Sequence, residues 1–299
     1  MTTPSSEIPV HVVRARTPGL LRRLGETFRF PALAGRHREL LGAFVRRDLA
    51  SRFQGSVLGA AWPLVQPLLL FGLFYFVFAK ILRMKYESAR LPDPEFTNTF
   101  FGVWLFLGVL LWNAFAQTVG RAVTCLLEQG HLLKKAAFPS ELLPFSLALA
   151  EGVVLLVGFA VFFAVMLAMG FPLHPKALLL PVLLLGTLLF VLGTAFAVAA
   201  CNVFVRDTAN FVAVGLLFWM FLTPVFWQPE YVAGYEPWPM LNPMYHVLGA
   251  ARDLLLFPVD AQNPVPLGAI GIVLGSGIVT FVVGYTIFLS LRPRFVDEI

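Results

Sequence analysis

Residues 177–229 read ALLLPVLLLGTLLFVLGTAFAVAACNVFV-RD-TANFVAVGLLFWMFLTPVFWQP. Two runs free of Asp, Glu, Lys and Arg, 177–205 and 208–229, are separated only by Arg206-Asp207. A helix that crosses a bilayer needs about 20 predominantly apolar residues. Backbone in lipid must satisfy its own hydrogen bonds, so each run is expected to be a helix. Two charged residues leave room for a turn and nothing more, so the two helices are expected to be antiparallel neighbours.

The same pattern extends through most of the chain. Stretches of comparable length free of those four residue types occur at 53–79, 96–120, 152–175 and 261–291. The third is expected to begin near Leu142 and to carry Glu151 within it. The sixth opens with a Pro-rich piece, Asn263-Pro264-Val265-Pro266, that is expected not to span. The fold expected is therefore an all-α integral membrane protein with six transmembrane helices. It divides into a cytoplasmic arm (1–57), a six-helix domain (58–291) and a short tail (292–299).

Composition agrees. Of 299 residues, 58% are hydrophobic and 13% charged, with a mean hydropathy of +0.79; soluble domains run at about 45–50% and about 25%. These figures exclude a disordered chain, a nucleic-acid-binding domain and most soluble enzymes. Ten of the 22 Lys and Arg residues precede residue 53, which points to an anionic membrane surface and not to nucleic acid. Six spans put both ends on one side, and that side carries 16 cations against 6 on the other. The positive-inside rule then places both termini in the cytoplasm, in a multi-pass protein of the cytoplasmic (inner) membrane. No secretory signal pattern is visible, so the chain is expected to keep its N-terminus. Cys125 and Cys201 stand alone, without metal-ligand spacing. No phosphate-binding loop and no hydrolase motif occurs, so no catalytic residue and no cofactor are expected in this chain.

Three segments outside the spans carry chemistry. In the arm, Leu41, Val45 and Leu49 step by four, with Leu40 and Phe44 beside them and Arg46 and Arg47 off the stripe. This is an amphipathic helix expected to lie in the interface. It reads either as an anchor for the first span or as a site where Arg46, Arg47 and Arg52 meet an anionic head group, since guanidinium forks suit phosphate oxygens. The 121–141 loop holds Gly130-His131-Leu132-Leu133-Lys134-Lys135 and Phe138-Pro139. It reads either as a turn packed on its own bundle or as a docking helix for a cytoplasmic partner. The 230–260 segment is dense in proline and includes an apolar piece, Met244 to Phe257, too short to span and expected as a re-entrant or interfacial helix on the outer face. Arg252-Asp253 inside it is expected to pair locally. Glu151 is the one carboxylate expected within a span, and it is read as structural or pore-lining. Without a partner it offers little for a proton relay. Among the aromatics, Trp112, Phe115, Trp219, Phe226 and Trp227 are candidates to line a carbohydrate path.

These blocks, in order, resemble type-2 ABC transporter permeases. Arg47-Asp48-Leu49, Arg52, Ser56-Val57-Leu58-Gly59, Trp62 and Pro67 resemble the family's N-terminal signature. Leu132-Leu133-Lys134-Lys135, Phe138-Pro139, Leu143-Pro144, Arg206-Asp207, Thr223-Pro224-Val225-Phe226, Asn242-Pro243 and Arg252-Asp253 continue the match to about residue 258. The nearest branch exports O-antigen (the lipopolysaccharide glycan), capsule and teichoic acid.

The resemblance implies a homodimer with two copies of a cytoplasmic ABC ATPase beneath it. ATP and Mg would be bound by those ATPase subunits. The substrate implied is a polyprenyl-pyrophosphate-linked polysaccharide moved outward from the cytoplasm. The amphipathic helix and the Leu58-Gly59 turn would sit at the cytoplasmic access. His131, Leu132, Leu133, Lys134, Lys135 and Phe138 would couple to the ATPase. Three alternatives stay open: the same architecture for a small lipid or drug, a membrane enzyme acting on polyprenyl-linked sugar, and an anchoring protein without transport.

Overall fold

The computed structural model describes residues 25–27, 29–52, 54–83, 97–134, 138–232, 234, 237, 239–258 and 263–299. Among them there is no strand. In chain order the helices are α1 (Phe30–Arg36), α2 (Arg38–Ser51), α3 (Trp62–Phe74), α4 (Thr97–Glu128), α5 (Gly130–Leu133), α6 (Leu142–Ala168), α7 (Leu180–Phe204), α8 (Thr208–Leu222), α9 (Pro243–Leu256), α10 (Leu267–Leu291) and α11 (Phe295–Glu298).

Four of these are long and apolar enough to cross a bilayer: α4, α6, α7 with the 3-10 turn that leads into it, and α10. The other two expected spans, α3 and α8, are equally apolar but shorter. α3 continues into a π-helical stretch, Tyr75–Ile81. The turn between α7 and α8 falls at Arg206-Asp207, as the charge-free runs predict, and α6 begins at Leu142, as expected for a third span that starts before its charge-free run and carries Glu151. α10 starts at Leu267, just past the Pro-rich piece. The 230–260 segment contains a helix, α9, with Pro243 in its first turn and the Asn242 side chain accepting from Met244 N–H. The first-span region also carries the Leu58-Gly59 turn. Gly59 adopts a φ of 46° that side-chain-bearing residues rarely take.

One expectation fails at the end of the second span. The charge-free run stops at Arg121, yet α4 continues through it for two more turns to Glu128. The guanidinium does not break the helix because partners on two other helices satisfy it, as the next section describes.

α4 is the central pillar, packed on α3, α6, α7, α8 and α9. At one end of the bundle Phe100, Trp104, Phe162 and Phe257 form the core. At the other, Phe30 from α1 sits edge-on to Phe145, Phe196, Phe281 and Tyr285, with centroids 5.0–5.6 Å away. Residues 25–52 and 292–299 both pack at this second end.

The tightest contact is between α7 and α10. Gly186 faces Gly277, and Gly193 faces Gly284, each pair backbone to backbone. Because the numbers rise together, the two helices run parallel. Both pairs repeat at seven residues, the spacing that keeps one face in register along two helices. Small residues of this kind let membrane helices approach where no hydrophobic driving force separates protein from lipid. A side chain at Gly193 would strike the Thr280 carbonyl, which cannot rotate away.

Gly193→Leu is therefore expected to destabilise the detergent-solubilised protein by about 1–3 kcal/mol or more. Gly152→Ala on α6, where the space is open, is expected to change little. Thermal unfolding of the two variants side by side checks this; equal losses would show that the close approach is not needed.

Candidate functional site

The site lies at the end where α2 packs on α6. α2 turns Leu41 fully inward and leaves Arg46 and Arg47 exposed, so its amphipathic reading holds in the folded chain. Arg47 lies over the Phe44 ring at 4.9 Å, and Phe44 in turn meets Phe138 edge-on at 6.0 Å.

At the C-terminal end of α2 four charges converge. Arg52 donates through Nε and Nη2 to Asp48 Oδ2 at 3.0 and 2.8 Å, and through Nη2 to Glu151 Oε1 at 2.6 Å. Arg121 of α4 donates to Glu151 Oε1 at 3.1 Å and to Asp48 Oδ2 at 3.2 Å, with a second, shorter contact to Asp48 Oδ1. Two guanidiniums and two carboxylates thus form a neutral quartet joining the end of α2 to α4 and α6. The Glu151 side chain is only 5% exposed. A carboxylate so placed is tolerable only when paired and hydrogen-bonded. Burial alone would push the Asp48 pKa up. The hydrogen bonds and charges of Arg121 and Arg52 outweigh it and hold this carboxyl below its ordinary value. Its stabilising contribution is therefore complete above the unfolded-state value and is lost only as pH falls through the lowered one.

The quartet borders a groove of about 650 Å³ beneath α2, walled by α2, α4, α6 and α7. Leu41, Val45, Leu49, Leu155, Leu156 and Val191 make it apolar; Arg38 and Arg46 stand on its rim, and Glu151 closes it toward the quartet. At the opposite end of the bundle a second cleft, of about 590 Å³, is lined by Trp219, Phe221, Trp227, Tyr231 and Asn242. Both indole N–H groups are already used within the protein: Trp219 donates to Asn242 Oδ1 and Trp227 to the Phe221 carbonyl, each at 2.9 Å. What the cleft offers is therefore ring faces.

The expected site residues divide accordingly. Arg52 is consumed by Asp48 and Glu151, whereas Arg46 and Arg47 remain exposed. Leu58 is exposed beside the Gly59 turn. His131 and Lys134 are exposed, while Leu132 and Phe138 are half-buried. Leu133 is 8% exposed within a cluster that includes Phe295. It serves the bundle's own core, which corrects its expected place as a docking contact. Lys135 lies outside the described residues. Trp112 and Phe115 are buried against each other and against Trp219. As carbohydrate-lining residues they are corrected, since rings enclosed on α4 are not offered to a passing chain in this conformation. Trp219 and Trp227 do face a common cleft, and Phe226 instead packs toward Phe74 at 6.2 Å.

Two further corrections concern charges. Glu151, expected to lack a partner, has two guanidiniums. Arg252 points inward, its guanidinium 3.2 Å from the centre of the Trp104 ring and donating to the carbonyls of Pro224 (2.6 Å), Val225 (3.3 Å) and Trp104 (3.4 Å). It ties α9 to the end of α8 and to α4, and the local-pair expectation missed this role. Asp48 and Arg121 were not singled out in the sequence. Their signals were the Arg47-Asp48-Leu49 block and the charge at the end of a charge-free run. Among the described residues no group of three His, Cys, Asp or Glu is placed to hold a metal.

A bundle of apolar helices with a charged helix locked to it at one end does not by itself name a function. The sequence matches the ABC-2 type transporter family over residues 39–256, and the chain belongs to that family. It is thus an integral membrane permease subunit and not an enzyme, and the family implies an ABC ATPase as partner. Among curated relatives, it is similar to "O-antigen export system permease protein RfbA" of Klebsiella pneumoniae, at 26% identity over 87% of this chain and 94% of the relative. A protein of the same name from Myxococcus xanthus is 28% identical over 88% of this chain and 96% of its own length.

Glu151→Gln is expected to destabilise the protein by about 1–3 kcal/mol, the range for losing hydrogen bonds to a charged group. It is also expected to free α2, seen as faster tryptic cleavage at Arg38–Arg47 in otherwise intact vesicles. Adding Arg121→Gln to it should cost less than the sum of the two single changes, because they share one network. Strict additivity would show that the four charges act independently.

Proposed function

We propose that this chain is the channel-forming subunit of an ATP-powered exporter that moves a polyprenyl-pyrophosphate-linked cell-surface polysaccharide, O-antigen first among its candidates, outward across the inner membrane. It works as a homodimer with two cytoplasmic ATPase subunits, six spans per chain and both termini in the cytoplasm. The relatives' names supply the glycan class. The observation that carries the reading is the groove beneath α2. An apolar cavity with guanidiniums on its rim matches an amphiphile with a hydrocarbon tail and an anionic head. The parallel course of α7 and α10 supports the six-span topology, in which the fourth and sixth spans must run the same way. The packing of residues 25–52 and 292–299 at one end supports a common side for both termini.

In this reading Arg38 and Arg46 on the groove's rim receive the head group, with the exposed Arg47 beside them outside the groove, and the quartet keeps α2 seated while they do so. Because Arg52 is occupied, it acts through the position of α2 and not by direct contact. The exposed His131 and Lys134 contact the ATPase. The ring-faced cleft of Trp219, Trp227 and Tyr231 at the other end offers stacking surface to sugar CH faces. The groove alone also suits a small anionic lipid, which is the competing substrate class.

Depleting the protein in its host decides between them. Accumulation of polyprenyl-linked glycan on the cytoplasmic face, with loss of surface polysaccharide, is the expected outcome. An unchanged glycan pool and surface would discard the polysaccharide and leave the small-lipid exporter. Trp227→Ala is expected to reduce surface glycan while leaving the protein's abundance and its ATPase association normal. Wild-type export in that variant would remove the outer cleft from the path.

A further inference from the structure

Residues 292–299 close back on the bundle in a way transport does not obviously require. After α10 the chain makes a 3-10 turn, Arg292–Arg294, and then the single helical turn α11. Three contacts hold it. Arg292 Nη1 donates to Glu141 Oε1 at 2.5 Å, and Glu141 is 1% exposed. Phe295 is 2% exposed, edge-on to Phe288 at 5.3 Å and near Phe204 at 6.2 Å. The Ile299 side chain lies directly against Gly130, where any Cβ would strike it.

Gly130 and Glu141 bracket the segment assigned above to the ATPase. Residues 292–299 therefore touch the chain at Gly130, where that segment begins, and at Glu141, three residues beyond Phe138, and leave His131 and Lys134 exposed. These contacts add to the hold that the buried Leu133 already gives the segment. Its helix, α5, is four residues long, far below the length at which a helix is stable by itself. Glu141 directly precedes α6, so the Arg292 contact fixes the C-terminal residues to the start of that helix. A push on an unsupported loop would be absorbed as local rearrangement. A push on a loop held at both ends is delivered to α6 and α10.

We propose that residues 292–299 are a clasp that makes the ATPase-contacting segment rigid, and that Arg292, Phe295 and Ile299 are positioning residues for coupling ATP hydrolysis to transport. The proposal rests on the assignment of 130–138 to the ATPase contact.

The test uses the complete transporter, purified with its ATPase and returned to vesicles, reading ATPase retention, ATP hydrolysis and glycan moved per ATP. Arg292→Gln and Phe295→Ala are expected to keep the ATPase bound and hydrolysing, while transport per ATP falls about five-fold, the scale for losing one partly exposed contact. The exchange Glu141→Arg with Arg292→Glu is expected to recover part of that loss. If Phe295→Ala lowers the amount of folded protein, Arg292→Gln decides, since its side chain is 45% exposed and outside the core. Unchanged transport per ATP in Arg292→Gln overturns the clasp. His131→Glu with Lys134→Glu tests the underlying assignment separately. Loss of the ATPase from that variant supports the contact, whereas full retention overturns the assignment whatever the clasp variants do.

Discussion

A charge taken out of water must find its opposite, and in this protein that requirement decides where the interfacial helix lies. Glu151 is buried on α6, where an unpaired carboxylate is not tolerable. It is satisfied only because Arg121 on α4 and Arg52 at the end of α2 reach it together, with Asp48 balancing the second guanidinium. The quartet is neutral as a whole, so it joins three elements without leaving a net charge near lipid. The groove below α2 exists in its present shape because α2 is held there, and the placement of Arg46 on the groove's rim follows from the same bonds.

Much of the helical layout was legible because lipid punishes unpaired polar groups severely. Runs free of four residue types mark α7 to within three residues at each end, the start of α8 and the end of α10, while α6 begins ten residues before its run because Glu151 interrupts it. The same rule failed where a charge has a partner inside the protein. Arg121 marks the end of the charge-free run although α4 runs on to Glu128, and Glu151 looks isolated in the sequence. The partners come from positions 48, 52, 121 and 151, and no local spacing ties them together. Arg252 was missed for a related reason. Its partners are backbone carbonyls of Trp104, Pro224 and Val225, and carbonyls carry no mark in a sequence.

The candidate site was legible in its types and not in its orientations. Aromatic content pointed to Trp112, Phe115, Trp219, Phe226 and Trp227 alike. Only folding separates rings that fill the core, such as Phe115 at 0% exposure, from rings that line a cleft. Leu133 illustrates the same limit in the segment between α4 and α6. A leucine beside lysines reads equally as core and as contact, and the burial of its neighbours settles which.

The glycine contact between α7 and α10 has a mechanical meaning. Where two helices meet through side chains, rotamers can change and the helices can slide. Where carbonyl meets Cα, as at Gly193 and Gly284, there is nothing to rearrange, so the pair moves as one solid bar. Any widening of the protein during a transport cycle must be taken up by other helices turning against that bar. α3 and α8 are short and present large apolar faces outward, so packing that can rearrange lies on their side of the bundle and not between α7 and α10.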